Sequence, residues 1–158
     1  MNPAIYYHPE AYSITGPKLM GRNAAGESFL RGYALHSSAS EFWVQVGHAD
    51  HVEQFEASIR AAGRNEQIRV VQNNNLQTLS HAGVIYHPGP GIGESALRRS
   101  IFDHQAWSLC GVTHTTSSAA AMDAIVDLVT APVQPWDALI CTSQSVKANV
   151  TQIIDAQL

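Results

Sequence analysis

The chain has 158 residues, of which 45% are hydrophobic and 14% charged, and carries a formal net charge of -4. That length suits a single domain able to bury roughly 70% of its unfolded surface, and the composition excludes a disordered segment or a charged tail. A negative balance argues against non-specific nucleic-acid binding, no stretch reaches the length of a membrane span, and the N-terminus lacks the basic-then-apolar pattern of a signal peptide.

Taken in chain order, residues 4–7 form a β-prone run halted at His8-Pro9. A long loop through Gly16-Pro17 and Gly21 follows, and helical character begins at Gly26, with Phe29, Leu30, Tyr33 and Ala34 on one face. The second strand is expected at 42–46. A helix over 50–62 places Val52, Phe55, Ile59 and Ala62 at helical spacing and ends at Gly63. The third strand is expected at 68–71. Asn73-Asn74-Asn75 breaks the chain before a short helix within 76–82.

The fourth strand, 84–87, stops at Pro88-Gly-Pro-Gly91, and a helix is expected from 94 to 102. The fifth strand spans 109–113. Met122, Ile125, Val126 and Val129 mark the next helix face, closed by Pro132 and Pro135. The sixth strand spans 138–142. Val146, Val150, Ile153, Ile154 and Leu158 stripe the last helix, with Ser143 as its N-cap. This alternation predicts an α/β fold: a doubly wound, mostly parallel Rossmann-like sheet of about six strands, with helices on both faces, over residues 1–158 as one domain.

Ligands of such folds bind at the carboxyl ends of the strands. Three histidines, His8, His87 and His114, fall there. With strand order 3-2-1-4-5-6 their imidazoles would face one crevice; any one of them alone reads more readily as a structural histidine. A zinc site from the three is conceivable by ligand type, but no carboxylate or thiolate is placed with them. His48 and His51 are spaced as a helical pair and read as a solvated helix start. Cys110 and Cys141 lack metal-ligand or redox spacing and read as small buried hydrophobes in a reducing, cytoplasmic setting.

The loop Gly21-Arg-Asn-Ala-Ala-Gly26 precedes a helix, where backbone N–H groups and the helix dipole suit a phosphate, or it is a plain loop with a glycine cap. Gly89 and Gly91 in His87-Pro-Gly-Pro-Gly-Ile-Gly93 would permit close ligand approach, or make a turn. Arg98-Arg99 would pair with an anionic group or simply coat a helix, the solvated reading being favoured, and the serines after Thr116 lack the G-x-S-x-G elbow of a hydrolase.

The segments Gly21-Arg-Asn-Ala-Ala-Gly-Glu-Ser-Phe-Leu-Arg-Gly32, Gly111-Val-Thr-His-Thr115 and Asp137-Ala-Leu-Ile-Cys-Thr-Ser143, in this order and spacing, resemble the N-terminal domain of a GT-B fold glycosyltransferase of family 4. The resemblance spans nearly the whole chain. It implies one Rossmann-like half of a two-domain transferase, mainly holding the acceptor, while a C-terminal domain grips a nucleotide-sugar. It implies backbone donation to the donor diphosphate at Ala25 and Gly26, which stand where paired glycines are common. It implies that His114 lies beside the transferring sugar and that the transfer needs no metal. His8, His87, Gly89, Gly91 and Thr115 are the further cleft candidates, and no cofactor is expected. The chain stops where an interdomain linker would begin. An acceptor-side domain alone is therefore expected to be inactive and to self-associate through an exposed interdomain face. The alternative is a stand-alone α/β phosphate- or nucleotide-binding module.

Overall fold

A computed structural model describes residues 2–17 and 20–158. The chain divides into two compact units, Met1–Ala82 and Gly83–Leu158.

The first unit holds strands β1 (Ala4–Tyr7), β2 (Glu41–Val46) and β3 (Gln67–Val71) in the order β3-β2-β1. All pairings are parallel, with Ile5 opposite Val44 and Phe42 opposite Ile68. A short helix, α1 (Pro9–Tyr12), follows β1; α2 (Gly21–His36) and α3 (Asp50–Ala61) connect the strands. Asn23, Gly26, Leu30 and Ala34 recur every three or four residues and are the buried stripe of α2. Phe55 and Ile59 are that of α3. They pack a core with Ala4, Ile5, Phe42 and Val44. Gly63, at φ +78°, ends α3 in the left-handed region expected of a C-terminal glycine. Next to it, Arg64 donates to the carbonyls of Ala34, Ser37 and Ala39, and its guanidinium lies 4.9 Å from the Phe42 ring centroid. One side chain thereby satisfies a carbonyl in the last turn of α2 and two in the segment that leaves it. A 3-10 turn (Leu76–Thr78) and α4 (Leu79–Ala82) close the unit.

The second unit repeats the scheme with β4 (Val84–Tyr86), β5 (Ser108–Thr113) and β6 (Ala138–Cys141), ordered β4-β5-β6 and again parallel. Helices α5 (Gly93–Ser100), α6 (Ala119–Thr130) and α7 (Gln144–Asp155) follow the strands in turn. Ser118 and Ser143 cap α6 and α7, accepting from the amides of Ala121 and Val146. Ile85, Ile92, Ala96, Leu109 and Ile125 form the core. The two strand orders are those of the halves of a 3-2-1-4-5-6 sheet. The chain is thus α/β, with six parallel strands flanked by helices, in the Rossmann-like, doubly wound class.

Two expectations are corrected. The segment Gly21–Gly26 is not a loop: α2 begins at Gly21, because Asn23 accepts from the Met20 amide and donates to the Glu10 carbonyl, closing the first turn. Arg99 is not solvated. It is fully buried in a two-pronged pair with Asp137, its Nη1 and Nη2 lying 2.6 and 2.7 Å from the two carboxylate oxygens. Nη1 also donates to the Trp107 carbonyl, while Asp137 accepts from the amides of Leu109 and Gln134.

Candidate functional site

Strands β1, β3, β4, β5 and β6 each run directly into a polar residue at the carboxyl end, where open α/β sheets bind ligands. In the second unit β4 runs into His87 and β5 into His114, on neighbouring paired strands. His87 is only 6% exposed, and burial pushes its imidazole down to about 4. Its amide donates to the Cys110 carbonyl at 2.7 Å, and the Val112 amide donates to the Gly89 carbonyl at 3.1 Å. The segment after β4 thus stays laced to β5. This is why residue 111 is glycine: a Cβ there would lie 2.8 Å from the Gly89 oxygen. A Cβ on Gly89 itself would meet nothing, and on Gly91 only an ordinary contact with Ala124.

His114 sits in the bend that leaves β5 and is half-buried; desolvation lowers its pKa below the usual 6.5. At neutral pH the ring is uncharged, offering one donor and one acceptor. Around it the backbone is tied by hydroxyls. Thr113, fully buried, donates to the Thr115 carbonyl at 2.8 Å, and Thr142 donates to the Thr113 carbonyl at 3.1 Å. Thr115 and Ser117 share a hydroxyl–hydroxyl bond, and Asn149 of α7 donates to Thr116. Thr115 itself is exposed at the end of the strand.

In the first unit His8 ends β1 and precedes α1. Burial lowers its pKa most; Glu10 opposes the shift, and His51 and Arg22 add to it. The rings of His48 and His51 meet edge to face at 5.2 Å, His51 on the first turn of α3. A cleft of about 680 Å³ opens beside these groups, lined by Pro9, Glu10, Arg22, Asn23 and Gln54 among others. At the ends of β2 and β3, Gln45 donates to Asn73 at 3.1 Å.

Ala25 and Gly26 stand fifth and sixth in α2, past the four N–H groups a helix leaves open. Gly26 is buried because the α1 backbone crosses it: a Cβ would lie 1.9 Å from the Ala11 oxygen. Its small size serves helix packing. Cys110 and Cys141 are free and half-buried, and burial raises the Cys110 thiol pKa. Among the described residues no group of three or more His, Cys, Asp or Glu side chains could hold a metal ion, and no helix is long and apolar enough to cross a membrane.

No protein-family model, no curated protein and no solved structure matches the chain. The polar groups that sequence reading missed are Arg22, Gln54, Gln45 and the Arg99–Asp137 pair. Asn73, the partner of Gln45, stood in a run of asparagines that reads as a plain turn.

Proposed function

We propose that this chain is the acceptor-side domain of a sugar transferase that uses a nucleotide-sugar donor, with His114 beside the transferring sugar. One observation carries the reading: a half-buried imidazole follows β5 directly, in a bend dense with hydroxyl residues. A neutral imidazole hydrogen-bonds a sugar hydroxyl without bringing a charge that must be balanced as the sugar departs. The α/β class and the position at a strand's carboxyl end support it.

The test begins with the reading frame. Where it continues by about a domain's length, the longer polypeptide is assayed with UDP-, GDP- and ADP-sugars for nucleoside diphosphate release. His114→Ala is expected to lower kcat by about 10²–10³-fold, the usual cost of removing one group that faces developing charge. Unchanged turnover would exclude the role of His114. The 158-residue chain alone is expected to give no appreciable transfer.

A second reading, a phosphate- or nucleotide-binding module without chemistry, is favoured by the cleft of the first unit, where Arg22 stands on the opening turn of α2. Saturable binding of a free nucleotide that shifts the Arg22 signals, with no transfer by any length of the polypeptide, would select it.

A further inference from the structure

We propose that Thr113 is the positioning residue for His114, acting through its buried hydroxyl on the bend that carries the imidazole. The inference rests on the reading that places His114 in the sugar-transfer site. Thr113 is the last residue of β5 and is 0% exposed. Burying a hydroxyl is unfavourable unless it is hydrogen-bonded, and a strand interior is served as well by valine. The Thr113 hydroxyl does not bond within the sheet. It reaches across His114 to the Thr115 carbonyl at 2.8 Å, so the bond spans the histidine. From the other side, the Thr142 hydroxyl holds the Thr113 carbonyl at 3.1 Å. The peptides flanking His114 are therefore tied at both ends, one tie running from a fully buried side chain. Thr115 is exposed, so its carbonyl gains no packing from this bond. Fixed position for the side chain between them is what the bond supplies, and errors of an ångström in such positioning cost about 10²-fold in rate.

The experiment is a pH titration of the His114 ring signals by NMR in the isotope-labelled chain, for wild type, Thr113→Val and Thr113→Ser. Valine keeps the shape and deletes the hydroxyl; serine keeps the hydroxyl. In wild type and Thr113→Ser the ring is expected to titrate below the ordinary value. In Thr113→Val the bend loosens, and the midpoint is expected to rise toward about 6.5 with averaged ring shifts. A folded Thr113→Val whose His114 titrates as in wild type overturns the proposal. Should that variant not fold, Thr142→Val, at an exposed position, decides in the same way by removing the second tie. The transferase reading fails separately, through a silent His114→Ala in the transfer assay, and that result leaves the titration outcome intact.

Discussion

Gly26 illustrates how one atom decides the reading of a residue. In sequence it reads as a glycine of a phosphate-binding turn or of a plain loop; in the fold it is the point where α1 lies on α2. Adding a methyl group drives a carbon into a backbone oxygen that cannot rotate away. Gly26→Ala is therefore expected to cost about 1–3 kcal/mol or more by overpacking. Gly32→Ala, in the same helix with open space around it, is expected to gain about 0.5–1 kcal/mol through helix propensity. Urea unfolding of the two variants checks the contrast, and equal effects would refute it. The glycine itself was plain in the sequence. Its neighbour was not, because α1 is a single turn inside a segment whose Gly16 and Pro17 read as loop. Histidines at strand ends were legible for the opposite reason: His8, His87 and His114 each come at the close of a β-prone run, so position along a strand was enough.

At the scale of elements, strands and long helices were legible because each carries its own period. The stripe Phe55–Ile59 and the run of β5 each need only local sequence. What local sequence does not carry is a tie between elements. Arg99 on α5 and Asp137 just before β6 are charged residues in unremarkable surroundings, and only the fold brings them together out of water. The pair joins α5, the start of β5 and the entry to β6 through five hydrogen bonds. Arg99→Met removes the cation and leaves the carboxylate buried, at an expected cost of about 3–5 kcal/mol. The double variant Arg99→Met, Asp137→Asn is expected to lose less than the sum of the two single changes, since each breaks the same network. Additive losses in denaturant unfolding would show that the pair is not coupled.

For the whole molecule, three strand-end imidazoles with lowered pKa values set the dependence of stability on acidity. His8, His87 and His114 all bind a proton less readily folded than unfolded, chiefly through burial. The unfolded chain then takes up more protons as pH falls below about 6.5, and stability declines with it. The stabilisation is fully present above about 6.5 and is lost as pH drops toward the folded value, about 4 for His87. His87 alone accounts for a slope of up to about 1.4 kcal/mol per pH unit within that window. Urea midpoints at pH 7.5, 6 and 5 are expected to fall steadily, and to fall less in His87→Gln; a flat profile would contradict the burial of these rings. The division of the chain at Ala82–Gly83 bears on how the fold is reached in time. Each unit is one continuous stretch, and each of its parallel pairings joins strands consecutive in the chain. Parallel pairing is slow because a crossover must close before any contact forms. Here the closures between β2 and β3, β4 and β5, and β5 and β6 each span one long helix, and that between β1 and β2 spans α1 and α2, so β1, β2 and β3 pair with one another before the second unit has left the ribosome.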